Sequence, residues 1–227
     1  MKPGWKMVKF GEVVKNANLV ERDPEANDIE KIVGLEHIDP ENLHIRRWNS
    51  IANGTSFTRR FVPGQTLFGK RRAYQRKVAY AEFEGICSGD ILTFEPKNKK
   101  VLLPELLPFI CQSDAFFDYA LGTSAGSLSP RTSWSALKDF EFPLPPLDEQ
   151  KRIAEILWAA VEVIFSQSSL IQETRNAQSV LFETRVNADY SNQALLGAHS
   201  GEVGRLFRMI PATDSGRKRP GIGAKRR

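Results

Sequence analysis

The chain has 227 residues, 41% of them hydrophobic, and a formal net charge of +5, enough apolar surface to build one domain with an appendage and no need of disulfides. Cys87 and Cys111 lie far apart and the three histidines (His37, His44, His199) are scattered, which argues against a structural metal site and for two buried thiols. The opening "MKPGWKMVKFGEVVK" holds no apolar signal core, and the greasiest run, "ILWAAVEVIF", is cut by Glu162, so a cytoplasmic chain with no membrane span is expected.

Residues 1–143 mix short strand-like runs, "EKIVGLEHI", "GQTLFG", "KVAYAEF" and "DILTFEP", with turn signals at Asn53-Gly54 and Pro63-Gly64. Charge is segregated within them. Between Asn42 and Ala81 there is no Asp or Glu, yet Arg46, Arg47, Arg59, Arg60, Lys70, Arg71, Arg72, Arg76 and Lys77 all fall there. In "FGKRRAYQRK", residues 68–77, a strand would put Lys70, Arg72 and Arg76 on one face and Arg71 and Lys77 on the other; a helix would spread them around its circumference. Neither form buries a face, so the stretch is expected to meet water or a partner made of negative charge.

Further along, "SGDILTFEPK" offers Asp90, Glu95 and Lys97 as the nearest approach to a metal-dependent nuclease signature. Their odd separation on one strand points the two acids to opposite faces, and Asp90 reads better as the turn residue that opens the strand, with Pro96 closing it. One helix is expected from near Pro104 through "ELLPFICQSDAFFDYAL" to Gly122, with Phe109, Ile110, Phe116, Phe117 and Ala120 as its core stripe. The segment from Gly122 to Ser129 is small and polar, as a loop whose amides approach a phosphate must be, and Arg131 supplies a cation beside it. Ser133 is placed to cap a short helix through Lys138.

Prolines make "FEFPLPPLDEQ" an extended connector, assigned to residues 144–148. Asp148 then caps a helix over 149–187, where Leu157, Ile164, Ile171 and Leu181 approximate a heptad seam suited to another helix, from another chain or a second copy. Residues 188–227, ending "SGRKRPGIGAKRR", form a basic tail expected to be disordered. Chemistry is hard to find. The chain has no Gly-rich cofactor loop, no Asn/Asp-Pro-Pro-aromatic motif and no Walker loop, and its paired prolines, Pro145 and Pro146, sit between leucines.

"GWKMVKFGEVV", "LFGKRRAYQRKVAYAEFEGICSGDILTFEP", the small-residue loop and above all "FEFPLPPLDEQKRIAEIL" resemble the target recognition domain of a type I restriction-modification specificity (S) subunit and the helix that follows it. The resemblance covers about residues 5 to 165. It implies an α/β (α+β) fold, a mixed-sheet recognition domain followed by one long coiled-coil-like helix. It also implies sequence-specific binding of double-stranded DNA at one half of a bipartite target, with the helix as spacer and as dock for modification (methyltransferase) subunits, and possible association with a restriction subunit. On this reading the chain has no catalytic residue, metal or cofactor of its own; S-adenosylmethionine, and ATP with magnesium, belong to partner subunits.

The residues expected at DNA are Arg59, Arg60, Lys70, Arg71, Arg72, Tyr74, Arg76, Lys77, Ser124, Ser127 and Arg131. Lys70, Arg72, Tyr74 and Lys77 match the family's Gly-Lys-x-Arg-x-Tyr-x-x-Lys pattern, while Arg71 and Arg76 fall in its variable slots and are the better candidates for gripping guanine. A full specificity subunit carries two recognition domains and two spacer helices, and this length suffices for one of each. A half-subunit that pairs with itself, reading a symmetric interrupted site, or a truncated product is therefore expected. The competing readings are a stand-alone nuclease or methyltransferase working around Asp90 and Glu95, and a structural adaptor whose recognition domain has decayed.

Overall fold

The computed structural model describes the backbone of residues 2–195 and the side chains of residues 2–185. The basic tail expected at 188–227 falls outside the described residues from 196 onward. In chain order the elements are β1 (Lys6–Lys9), α1 (Phe10–Val13), β2 (Val14–Asn16), β3 (Leu19–Val20), β4 (Lys31–Val33), β5 (Asn49–Ser50), β6 (Arg59–Phe61), β7 (Thr66–Gly69), β8 (Val78–Tyr80), β9 (Gly85–Cys87), β10 (Ile91–Pro96), α2 (Leu107–Gln112), α3 (Asp114–Gly122), α4 (Trp134–Leu137), β11 (Glu141–Leu144) and α5 (Leu147–Leu195). The chain divides into two units, Met1–Gln167 and Ser168–Arg227; the described part of the second is α5 alone.

Three sheets make the first unit: a ribbon of β1 and β11, a four-stranded sheet ordered β2-β10-β7-β8, and a five-stranded sheet ordered β3-β6-β9-β4-β5. Pairing is antiparallel except between β4 and β9, so the sheets are mixed and the fold is α+β, as expected. Alternation along β7 divides the core in two. Phe68 packs into a phenylalanine-rich cluster, while its neighbour Leu67 enters a second cluster with Val33, Ile38 and Phe61. In the first cluster the Phe10 ring centroid lies 5.3 Å from that of Phe94 and 4.9 Å from that of Phe116. Both cysteines are buried, and burial pushes the Cys87 thiol up to about 12.

The single helix expected between Pro104 and Gly122 is two. Ser113 is extended (φ −65°, ψ 148°) and its hydroxyl accepts a hydrogen bond from Phe116 N, so it caps α3 instead of continuing α2. A serine followed by an acid offers the backbone an N-cap that competes with helix continuation. The expected stripe is split accordingly: Phe116, Phe117 and Ala120 are fully buried, whereas Phe109 and Ile110 are only partly so. Ser133 caps α4 as expected, accepting from Ala136 N.

"FEFPLPPLDEQ" begins as an edge strand. β11 pairs with β1 in the register Leu144 to Lys6 through Glu141 to Lys9, and a two-stranded ribbon tolerates Pro143 because each strand keeps an open edge. α5 starts at Leu147 and extends past the expected residue 187. Its first turns are tied to the domain by named bonds. Gln150, 1% exposed, accepts from Leu103 N at 3.0 Å and donates through Nε2 to the carbonyls of Val101 (2.8 Å) and Pro145 (2.9 Å). Trp5 Nε1 donates to Glu149 Oε2 at 2.7 Å.

Two turns later Trp158 donates from Nε1 to Glu105 O at 2.9 Å and packs edge-on against Phe109 and Tyr80. Buried His44 then sits between two acids, with Nδ1 3.0 Å from Glu82 Oε1 and Nε2 3.2 Å from Glu162 Oε1. By length and composition alone α5 could cross a membrane despite Glu162, yet Trp158 and Glu162 both engage residues of the mixed-sheet domain, Glu105 and His44.

Candidate nucleic-acid interface

After Gly69 the stretch "FGKRRAYQRK" leaves the strand and forms a loop whose only regular element is a 3₁₀ turn at Ala73–Gln75. It folds against the loop that follows α3: Thr132 N donates to Lys70 O (3.0 Å), Arg72 N donates to Pro130 O (2.8 Å), and Arg71 and Arg131 form an isolated antiparallel bridge. The second loop is closed by Ala125 and Arg131, which exchange backbone bonds of 3.0 and 2.9 Å around Gly126, whose φ of +103° suits only glycine. The basic block and the small-residue loop are therefore one surface.

Arg72 (φ 54°) and Arg76 (φ 53°) are both left-handed and bracket a 3₁₀ turn, Ala73–Gln75. A non-glycine residue in that region costs on the order of 1 kcal/mol and persists where its surroundings over-determine it. The surroundings are on view. Arg72 Nε donates to Ser129 Oγ at 3.3 Å; Arg76 Nη2 donates to Gln112 O at 3.0 Å and lies 2.8 Å from Asp114 Oδ1, with its guanidinium over the Phe117 ring. Ala73 is buried beneath the turn and Tyr74, 56% exposed, stands at its tip.

The basic stretch contains no acid, but the fold brings acids to it. Asp90 lies between Arg71 (Nη1 to Oδ2, 3.4 Å) and Arg131 (Nε to Oδ1, 3.0 Å). Arg60 reaches Glu84 at 2.9 Å and Glu21 at 3.8 Å. Arg59 donates to Ile91 O, and Lys77 Nζ to Leu35 O. Water and an anionic partner are thus not the only ways to satisfy these cations, since internal pairing is a third. It takes up Arg76 most fully, and Arg71 is held at both terminal nitrogens, by Asp90 and by Ser129 Oγ at 3.2 Å. Burial, then the charge of Arg59, lowers the pKa of Lys70 despite the opposing pull of Asp90. Burial pushes the Asp90 carboxyl up, but the hydrogen bond and charge of Arg131 and the charges of Arg71 and Lys70 outweigh it and leave it below the ordinary carboxylate value.

Lys70, Arg71, Arg72 and Arg131 are brought together. Ser124 instead bonds back to Ala120 O at 2.8 Å and finishes α3, and Ser127 is exposed in the closed loop. On α5, Leu157 is half-buried in an apolar groove with Trp5, Leu106, Phe109 and Phe142, whereas Ile164, Ile171 and Leu181 are exposed, so the four do not share one environment. Sequence reasoning missed Ser129 as an arginine acceptor and Asp90 as the centre of the cluster. Nothing local to Ser129 signals its role, and Glu82 and Glu84 stand nearer to the acid-free block than Asp90 does, so residue order does not single out Asp90 as its partner.

Neither acid of the nuclease-like stretch is open. Asp90 is held as above, and Glu95 lies 2.8 Å from Lys15 Nζ and accepts from Gln65 Nε2 at 2.7 Å. Among the described residues no group of three or more His, Cys, Asp or Glu could hold a metal ion.

An α+β domain that presents cations on two braced loops and runs without a break into a long helix has the build of a DNA-recognition module. Similarity to known proteins makes this specific. The chain belongs to the family of type I restriction modification DNA specificity domains, whose model matches residues 3–173. It is 30% identical over 149 residues to the type I restriction enzyme EcoDI specificity subunit of Escherichia coli, a match covering 62% of this chain and 31% of that protein.

Among solved structures, the HsdS subunit from Thermoanaerobacter tengcongensis is 26% identical with a TM-score of 0.60, covering 80% of this chain and 48% of that one. A chain from a structure on complex assembly and conformational transition of the type I R-M system is 25% identical with a TM-score of 0.62, covering 88% and 51%. The S subunit from M. genitalium, 16% identical with a TM-score of 0.51, shares the fold. The chain thus spans between 31% and 51% of the length of these relatives.

Proposed function

We propose that this chain is a DNA-specificity component of a type I restriction-modification system that reads one half of a bipartite duplex target and brings methyltransferase, and restriction, subunits to it. The observation that carries this reading is the convergence of Lys70, Arg71, Arg72 and Arg131 on one surface, made by two loops of a family recognition domain. Catalysis is left to the partner subunits, which would hold S-adenosylmethionine and ATP with magnesium; the chain would work in the cytoplasm. The exposed apolar side of α5 would pair with a second copy, giving a two-fold arrangement matched to a symmetric, interrupted site.

Titrating duplex binding against salt tests the electrostatic core of the proposal. With about five cations on phosphates, log affinity falls with log salt at a slope near about −4.5, which is roughly two to three decades between about 50 and 200 mM. A slope near zero rejects this surface as the contact.

A further inference from the structure

The two loops do not present their guanidinium groups alike. Arg71 is engaged at both terminal nitrogens, and Arg76 is held by Gln112 O, Asp114 and the Phe117 ring. Arg131 donates only through Nε, to Asp90 Oδ1 at 3.0 Å, and its side chain is 48% exposed. Its end-on pair, Nη1 and Nη2, makes no hydrogen bond to any described residue. Arg72 shares an open end, but its Nε rests on a neutral hydroxyl that it splits with Arg71. A carboxylate acceptor holds a guanidinium about twice as strongly as a neutral one. It also cancels part of the attraction to a phosphate while leaving the planar fork aimed, an arrangement better matched to the neutral acceptors O6 and N7 of guanine than to the DNA backbone.

We propose that Arg131 is a base-reading residue whose terminal nitrogens grip O6 and N7 of one guanine in the major groove, and that Asp90 is the positioning residue that fixes it. This rests on the DNA-specificity reading above and replaces Arg71 and Arg76, the arginines favoured by sequence, as base readers. Asp90 is itself anchored at three points, since Ser88 Oγ accepts from its backbone N–H, its carbonyl accepts from Lys70 N, and its second carboxylate oxygen meets Arg71.

The deciding experiment uses the full chain and a randomised duplex library. The duplex enriched by the wild-type chain and a shuffled duplex of equal length are then titrated with Arg131→Lys and Asp90→Asn. Arg131→Lys keeps the charge, and its exposed position keeps the fold. It should lose roughly ten- to hundredfold of preference at a single G·C pair and leave the other positions and the salt slope as they were. Asp90→Asn should lose preference at that same pair while binding the shuffled duplex more tightly, because the cluster gains one positive charge; an aspartate with a merely structural role would weaken both duplexes together. The assignment is overturned if Arg131→Lys keeps every preference or loses one at an A·T pair, and the role of Asp90 if its variant weakens both duplexes alike. Should the wild-type chain enrich no sequence at all, the specificity reading itself falls.

Discussion

Gln150 has three polar contacts in the first turn of α5, and leucine in its place would strand the Leu103 N–H and the carbonyls of Val101 and Pro145 in a buried site. Gln150→Leu should therefore lower unfolding free energy by about 2 to 3 kcal/mol in urea denaturation, although leucine is the more apolar residue. The sequence alone marked "LDEQ" as a family signature without giving its reason; the reason is this buried amide, together with Glu149 accepting from Trp5. Asp90 and Glu95 carry the pH dependence. Burial pushes both carboxyls up, but hydrogen bonds and neighbouring cations, for Glu95 the bonds of Lys15 and Gln65 and the charges of Lys15 and Lys99, outweigh it and leave both below their ordinary values. A depressed folded pKa stabilises the fold above the unfolded value and loses that contribution as pH falls through the folded one, so stability should drop below about pH 4. Asp90→Asn with Glu95→Gln should flatten an acid-denaturation profile followed by circular dichroism. That Asp90 opens a strand was legible from residue order, but its partner Arg131 lies 41 positions away and only the fold joins them.

Among the elements, those with strong periodicity or clear punctuation were legible: β7, β8 and β10, the short helix α4 capped by Ser133, and the long α5. Two-residue strands such as β3 and β5 were not, since so few residues carry no alternation to read, and such strands exist only through their neighbours in the sheet. The break at Ser113 is testable as an element boundary. Ser113→Ala removes the α3 cap and should cost about 1 kcal/mol, read as a lower urea midpoint with unchanged m-value. The joint between α5 and the domain depends on Trp158, an aromatic contact partner of Phe109, Tyr80 and His44. Trp158→Ala should cost about 2 to 3 kcal/mol, below the range of a fully buried tryptophan because the ring is partly solvated, and should expose the chain around residue 158 to limited proteolysis.

At the scale of the whole molecule, the proposed pairing makes a distinct forecast. Ile171 and Leu181 are exposed apolar side chains on one helix, and placing a glutamate at either should convert a two-chain species to a single chain in sedimentation or light scattering, with no change in the circular dichroism of the domain. What sequence conveyed here was the segregation of positive charge; which cations remain open was hidden, because the acids that occupy Arg60, Arg71 and Arg76 come from distant segments. The weld at the root of α5 draws on Trp5, His44, Glu105 and Gln150, whereas the two cationic loops use residues 70–77 and 122–132. Among these described residues none serves both. If the proposed function holds, exchanging those loops for others of the same length would change the address the molecule delivers to without disturbing the handle by which it is held, and new specificities would arise through local grafts.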